Sequence, residues 1–215
     1  MIDVLVLSAG AGTRVDGDKP KALIDKDGKE ALKYVTEPFM RDCFRWNLNI
    51  RKDEERYFKP YSDMFKLFTE ETPIGNAGAL KEFGKYLTDP FLVIHNDVYV
   101  KNLDMLDIFI KHCKHAIDKC MFTMVVKNIG KEKEDGAVVT QKEAIVGFTR
   151  QRIINCGIYC VSHSSFDYID GDGAFQDIDD HLVPELVKLQ RDYLFGFNKV
   201  IMAYKHTGYY ESWGK

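Results

Sequence analysis

Apolar and polar positions follow two patterns that alternate along the chain. Short, mainly apolar runs such as Ile2–Leu7 are typical of strands buried in a sheet. Other segments repeat apolar residues every three to four positions, as amphipathic helices do. The first pattern predicts strands at 2–7, 64–69, 91–95, 121–126, 153–161 and 200–204, and a hairpin that joins 137–139 to 144–148. The second predicts helices at 31–44, 52–57, 77–87, 103–116 and 178–190.

This order of elements indicates one fold class. Alternating strands and helices build α/β domains, in which helices cover both faces of a sheet. The chain has 215 residues, and single domains commonly reach roughly 200–250 residues. No repeat, linker or low-complexity segment divides the sequence. We therefore interpret residues 1–215 as a single α/β domain with a Rossmann-like mixed sheet.

Composition and charge exclude several classes of protein. No uncharged apolar run approaches the ~20 residues that span a bilayer. The net charge of −3 gives no basic surface for nucleic acid or anionic membranes. Five cysteines without a C-x-x-C pair argue against a disulfide framework and a zinc ribbon. The first residues lack a basic leader and a cleavage site, so we expect a cytoplasmic protein with reduced thiols.

A glycine loop with basic residues directly follows the first predicted strand. Its residues are Ser8-Ala9-Gly10-Ala11-Gly12-Thr13-Arg14, and Lys19-Pro20-Lys21 come soon after. Glycines let backbone N–H groups approach phosphate oxygens, and the three cations add positive charge. A Walker A loop would end in Gly-Lys-Ser/Thr, and a dinucleotide fingerprint would have glycine where Val15 stands. The loop therefore predicts a polyphosphate site of another kind.

Four motifs together resemble the sugar-1-phosphate nucleotidyltransferase family. The first is the glycine loop with Pro20 and Lys21. The second, 71–80, resembles the family's Glu-x-Pro-Leu-Gly-Thr-Ala-Gly-Ala-Leu segment near the nucleobase. The third, 96–98, resembles Gly-Asp-Val at the metal, and the fourth, 155–159, resembles the Asn-Ala-Gly-Ile-Tyr strand that contacts the sugar. These motifs occur in the family's order and extend over most of the chain.

The resemblance implies a nucleotide-diphospho-sugar transferase fold, an activity and a set of site residues. The activity joins a nucleoside triphosphate to a sugar 1-phosphate with Mg²⁺ or Mn²⁺, and it releases pyrophosphate. The implied catalytic residues are Arg14 and Lys21. The implied nucleotide-binding residues are Ala9, Gly10, Gly12, Thr13 and Gly78. The implied acceptor-binding residues are Gly136, Arg150, Asn155 and Gly157, and the implied metal ligands are Asp97 and Glu211.

The sequence departs from the family pattern in ways that leave alternatives open. The family's Glu-Lys-Pro is replaced by Arg150-Gln151-Arg152, so a carboxylate that would hold sugar hydroxyls is missing. A cytidylyltransferase acting on an alditol or amino-alcohol phosphate, a metal-dependent glycosyltransferase and an inactive nucleotide-binding module remain as alternatives. A homodimer is also left open. Asp177, Asp179 and Asp180 are interpreted as the capped start of a helix, and His95 as a packed residue.

Overall fold

The structure is a computed structural model that describes residues 1–10, 19–117, 119–133, 138–141, 143–148, 151–171, 174–192 and 199–212, without the side chains of 131–133, 141, 148, 151 and 152. The strands are β1 (Ile2–Leu7), β2 (Asp25–Lys26), β3 (Lys29–Glu30), β4 (Phe44–Arg51), β5 (Lys66–Glu70), β6 (Phe91–His95), β7 (Val98–Val100), β8 (Phe122–Lys133), β9 (Val138–Gln141), β10 (Ala144–Phe148), β11 (Gln151–Val161), β12 (Ile201–His206) and β13 (Tyr210–Ser212). The helices are α1 (Ala31–Thr36), α2 (Glu55–Phe58), α3 (Gly75–Gly84), α4 (Met105–Ala116) and α5 (Val183–Asp192). A π-helical turn, Ile178–Leu182, leads directly into α5. Within the described ranges, none of the helices is both long and apolar enough to cross a bilayer.

The described strands form one large mixed sheet and two small ribbons. The large sheet has nine strands in the order β5-β4-β1-β6-β11-β8-β12-β10-β9. Strands β5, β4, β1 and β6 are parallel, whereas β11 runs antiparallel to both β6 and β8. The carboxyl ends of β1 and β6 therefore lie at the same edge of the sheet as the first half of β11. Ligands of open α/β sheets gather at this edge.

The two faces of the sheet carry separate apolar cores. On β1, Val4 and Val6 belong to one core, and Leu5 and Leu7 belong to the other. Leu32 of α1 and Ile108 of α4 pack in the first core. Leu80, Phe83, Leu186 and Val187 of helices α3 and α5 pack in the second. Helices thus cover both faces, and the predicted α/β fold class is confirmed.

The region 31–58 differs from its sequence prediction. A helix was expected over 31–44, but α1 ends at Thr36, and Phe44–Arg51 forms β4 beside β1. Pro38 lies in a 3₁₀ turn, Glu37–Phe39, that directly follows α1, and proline has no backbone N–H with which to continue the α-helix. Asn47 and Asn49 are buried on β4, with amides that donate to Asp3 and Glu70, respectively. The predicted helix 52–57 is a 3₁₀ turn followed by the short α2.

Candidate functional site

The glycine loop follows β1 and Asp97 follows β6, and hydrogen bonds join the ends of these two neighbouring strands. Ser8, directly after β1, donates its backbone N–H to Asn49 O at 3.0 Å. Asn96, directly after β6, donates its backbone N–H to Leu7 O at 3.2 Å and its side-chain amide to Ser8 Oγ at 2.9 Å. These bonds fix the start of the loop against the residue that precedes Asp97. The first and third sequence motifs therefore meet at the carboxyl edge of the sheet.

Asp97 forms an ion pair with Lys21. Lys21 Nζ donates to Asp97 Oδ2 at 2.8 Å, and both side chains are partly exposed. Burial raises the pKa of Asp97, but the charge of His95 and the bond from Lys21 outweigh burial and hold the pKa below its ordinary value. The carboxylate is therefore ionised at neutral pH. Lys21 and Asp97 lie 76 positions apart in sequence, and the fold brings them into contact. The resemblance assigns both residues to the same site.

The glycine loop is only partly within the described residues. Ala9 is buried, whereas Gly10 is exposed, and a Cβ added to Gly10 would meet no atom within 4 Å among the described residues. Gly12, Thr13 and Arg14 lie outside the described residues, as do Gly136 and Arg150 of the predicted acceptor site. Their predicted roles stay predictions.

The second motif forms the entrance to α3. Gly75 starts the helix with a φ of +76°, a conformation that glycine adopts without strain. Gly78 lies one turn later, and a Cβ there would come within 3.1 Å of Ile74 Cβ. Buried Glu70 accepts a hydrogen bond from the backbone N–H of Ile74 at 3.3 Å. The segment is thus anchored to the end of β5.

Asn155 and Gly157 lie in an irregular stretch of β11. The register with β8 shifts between Asn155 and Tyr159, which marks a β-bulge. Gly157 has a φ of +67°, and its backbone N–H donates to Asn155 Oδ1 at 2.8 Å. A Cβ on Gly157 would come within 3.0 Å of Val98 Cγ1 and 3.4 Å of His95 Cβ. The bulge therefore brings the fourth motif against the strand end that carries Asp97.

Asp179 contacts a predicted acceptor residue, and the sequence interpretation missed this contact. Asn155 Nδ2 donates to Asp179 Oδ1 at 2.9 Å and to the Tyr159 hydroxyl at 2.7 Å. Burial raises the pKa of Asp179, opposed by the charge of His95 and by the Asn155 bond. His95 therefore acts electrostatically on both Asp97 and Asp179. The aspartate-rich start at 177–180 was the available signal, and it was interpreted as helix capping.

Glu211 lies on β13, where its carboxylate contacts Lys26 and Tyr209. Glu211 Oε1 accepts from Lys26 Nζ at 2.9 Å, and Oε2 accepts from the Tyr209 hydroxyl at 3.0 Å. The preceding residue, Tyr210, points toward Asp97 and Asp179: burial raises its pKa to about 12, and the charges of Cys156, Asp97 and Asp179 add to that shift. Side chains alternate along a strand, so Glu211 points the other way. The structure thus pairs Asp97 with Lys21 and Glu211 with Lys26.

A divalent ion fits the chemistry of Asp97. Mg²⁺ is commonly held by one or two carboxylates together with substrate phosphates and water, rather than by a complete protein cage. Within the described ranges, no group of three or more His, Cys, Asp or Glu side chains is arranged to hold a metal. One ionised carboxylate beside a candidate phosphate loop is compatible with an ion that the substrate helps to bind.

The chain is similar to known proteins in both sequence and fold. No family model matches the chain. The bifunctional protein GlmU of Francisella philomiragia is 30% identical over 179 residues, which cover 76% of this chain and 38% of that protein. The 2-C-methyl-D-erythritol 4-phosphate cytidylyltransferase of Thermosipho africanus is 26% identical, over 65% of this chain and 58% of that protein. The chain thus matches 38% and 58% of the lengths of these two relatives.

A third relative matches over most of its own length. The D-glycero-α-D-manno-heptose 1-phosphate guanylyltransferase of Aneurinibacillus thermoaerophilus is 24% identical, over 77% of both chains. Among solved structures, HddC from Yersinia pseudotuberculosis has a TM-score of 0.68 at 22% identity, covering 99% of this chain and 93% of its own. The inositol-1-phosphate CTP transferase from T. maritima has a TM-score of 0.73 at 17% identity, covering 99% and 89%. These comparisons confirm the resemblance that the motifs indicated: the chain is a relative of the sugar-1-phosphate nucleotidyltransferases and has their α/β fold.

Proposed function

We propose that this protein transfers a nucleotidyl group from a nucleoside triphosphate to a sugar 1-phosphate, yielding a nucleoside diphosphate sugar and pyrophosphate. The observation that carries the proposal is the Lys21–Asp97 ion pair beside the glycine loop at the carboxyl edge of the sheet. Two relatives are named as enzymes that act on phosphate esters, heptose 1-phosphate and methylerythritol 4-phosphate. A phosphorylated small molecule is therefore the class of acceptor that we propose.

The reaction requires charge neutralisation more than covalent chemistry. An oxygen of the acceptor phosphate attacks the α-phosphorus, a new P–O bond forms, and the bond to pyrophosphate breaks. Both reactants are anions, so fixed cations that meet the developing charge lower the barrier. Lys21 would take this role, and the sequence predicts the same role for Arg14. Lys21 would exchange its bond to Asp97 for bonds to phosphate oxygens as the triphosphate binds.

Mg²⁺ or Mn²⁺ is part of the proposal. Asp97 would hold the ion, and the sequence resemblance adds Glu211 as the second carboxylate. When bound, the ion supplies positive charge to the phosphates and orients them. Glu211 would first have to give up its bond to Lys26. For this reason, the role of Asp97 is the better supported of the two.

The substrates would lie on the two sides of this centre. On the nucleotide side, Ala9, Gly10, Gly12 and Thr13 would approach the phosphates with their backbone, and Gly78 would lie against the base. On the acceptor side, Gly136, Arg150, Asn155 and Gly157 would contact the phosphorylated molecule. Asp179 holds the Asn155 amide in place on that side.

A cytidylyltransferase that acts on a non-sugar phosphate is the second candidate. Two comparisons favour it: the Thermosipho africanus cytidylyltransferase in sequence and the T. maritima CTP transferase in fold. The replacement of the family's Glu-Lys-Pro by Arg150-Gln151-Arg152 also removes a carboxylate that would hold sugar hydroxyls. The cytoplasmic location and a homodimer remain predictions from the sequence alone.

Pyrophosphate release tests both candidates. The purified protein is incubated with Mg²⁺, each common nucleoside triphosphate and a panel of sugar 1-phosphates, alditol phosphates and amino-alcohol phosphates. Release that requires a sugar 1-phosphate supports the first candidate, and release that requires CTP and a non-sugar phosphate supports the second. The Lys21→Ala variant controls for contaminating enzymes, since it should be nearly inactive. Transfer of a sugar from a nucleotide sugar, without pyrophosphate release, would instead indicate a glycosyltransferase.

A further inference from the structure

Hydrogen bonds join the segment at the start of α3 to the segment before the π-helical turn. Gln176 donates its backbone N–H to Ile74 O at 3.0 Å, and its carbonyl oxygen accepts from Ala77 N at 2.9 Å. The side chain of Asn76 contributes a further bond, because its Oδ1 accepts from the backbone N–H of Ile178. We call residues 74–78 the base segment and residues 176–179 the bridging segment. The two segments are bonded side by side.

The contact between the two segments depends on Gly75. A Cβ at Gly75 would lie 2.2 Å from Gln176 O, so a larger residue would push the bridging segment away. The two backbones can approach this closely only because residue 75 has no side chain. A displacement of the base segment would be transmitted to the bridging segment by direct contact.

The bridging segment ends on the acceptor side of the site. Ile178, held by Asn76, is followed directly by Asp179, and Asp179 Oδ1 accepts from Asn155 Nδ2 at 2.9 Å. Asn155 in turn accepts from the backbone N–H of Gly157. A connected path of hydrogen bonds and one peptide unit thus runs from the base segment to the proposed acceptor residues.

We propose that Asn76 is a positioning residue that couples the nucleotide side of the site to the acceptor side through Asp179. This inference rests on the proposed function, which places the nucleobase at the base segment and the acceptor at Asn155. Binding of the base restricts the motion of residues 74–78. The hydrogen bond between Asn76 and Ile178 then restricts Ile178 and, through it, the Asp179 carboxylate that holds Asn155. Because coupling between two sites is reciprocal, the acceptor also tightens nucleotide binding.

Steady-state kinetics of two variants tests the coupling. Asn76→Ala removes the bond to Ile178 N–H and should raise the acceptor KM about tenfold, since a buried donor is left without its partner. Because the coupling is reciprocal, the nucleotide KM at saturating acceptor should rise by a similar factor, whereas the nucleotide Kd measured without acceptor should stay the same. Asn76→Asp keeps an oxygen acceptor at the same place and should restore most of the acceptor affinity. A merely structural role would instead lower thermal stability and also weaken nucleotide binding measured without acceptor.

A double-mutant cycle with Asp179→Ala tests the route. If Asn76 acts through Asp179, then Asn76→Ala should add little to the acceptor KM of the Asp179→Ala variant. Fully additive effects, or a rise in the nucleotide KM alone, would overturn the proposal.

Amide hydrogen exchange provides a readout without turnover. In the wild-type protein, each nucleoside triphosphate is added with Mg²⁺ and without acceptor, and a triphosphate that binds should slow exchange across 176–180. The same triphosphate should have a smaller effect in Asn76→Ala. Unchanged exchange in wild-type protein with a triphosphate that binds would refute the coupling. Slowed exchange without pyrophosphate release would refute the proposed reaction and leave the coupling standing.

Discussion

Lys21 Nζ lies 2.8 Å from Asp97 Oδ2, so the two side chains that the resemblance assigns to phosphate and metal already contact each other. Each charge satisfies the other while no phosphate or ion is bound. The pair also gives the Asp97 carboxylate a cationic partner at a strand end where burial disfavours its charge. Binding of a metal triphosphate would then exchange one set of ionic contacts for another.

Replacement of Lys21 should reduce catalysis without unfolding the protein. Lys21→Ala is expected to lower kcat/KM by roughly 10²-fold or more, in line with the loss of an electrostatic stabiliser. Lys19→Ala is the matched control, because Lys19 is exposed and its charge acts on Glu30. Pyrophosphate-release kinetics of both variants gives the comparison. Equal losses in the two variants would show that only the general charge of the loop matters.

Metal dependence should separate Asp97 from Glu211. A chelator should abolish turnover, and Asp97→Asn should nearly do so, because it removes the charge that faces the ion. Glu211→Gln is expected to raise the Mg²⁺ concentration needed for half-maximal activity while the protein remains folded.

Lys26→Met is the control for Glu211, because it breaks the same ion pair and leaves the carboxylate intact. If both variants raise the Mg²⁺ concentration needed for half-maximal activity by the same factor, then Glu211 acts by anchoring β13 rather than as a ligand. If only Glu211→Gln raises this concentration, then the carboxylate is a ligand as predicted.

Two glycines should respond differently to a methyl group. Gly10→Ala should fold normally, since its Cβ would meet nothing among the described residues, yet it should weaken triphosphate binding if the backbone must approach phosphate. Gly78→Ala would press on the Ile74 side chain at 3.1 Å and should also raise the nucleotide KM. Thermal unfolding and nucleotide titration of each variant distinguish a binding defect from a folding defect. Unchanged nucleotide affinity in both would contradict the nucleotide assignment of these motifs.

The sequence was sufficient for the fold class but not for the second strand of the parallel sheet. Phe44, Trp46, Leu48 and Ile50 alternate with polar residues, which is the pattern of a strand, but the sequence interpretation ended a helix at residue 44 and assigned no strand to 45–51. The structure shows why two buried amides are tolerated on this strand: Asn47 and Asn49 donate to the carboxylates of Asp3 and Glu70, which come from other strands. Periodicity within one segment does not report such long-range partners.

The same limitation applies to the candidate site. The motifs identified Lys21, Asp97 and Asn155, because each lies in a short pattern that the family repeats. Asp179 was missed because its role depends on a contact with Asn155, 24 positions away, and its local pattern is also that of a helix start. The partner of Glu211 was missed for a similar reason, since Lys26 lies 185 positions earlier.

Stability should fall in mild acid because of His112, which the sequence analysis left out of the site. The ring is fully buried, with Nδ1 2.9 Å from Thr123 Oγ1 and Nε2 2.8 Å from Ser162 Oγ. Burial lowers the pKa of His112 to about 4, with Asp89 opposing the shift and His115 adding to it. Between about pH 4 and the ordinary histidine pKa of about 6.5, the unfolded chain therefore binds a proton that the folded protein does not.

The free energy of unfolding should then rise with pH across this window, and the loss at its acid end should be about 3 kcal/mol from this residue. His206, whose pKa is also lowered by burial, adds in the same direction. Urea unfolding at several pH values measures the slope, and His112→Gln should flatten it while lowering stability at neutral pH. A slope in the variant equal to that of the wild type would show that His112 is not the group that titrates.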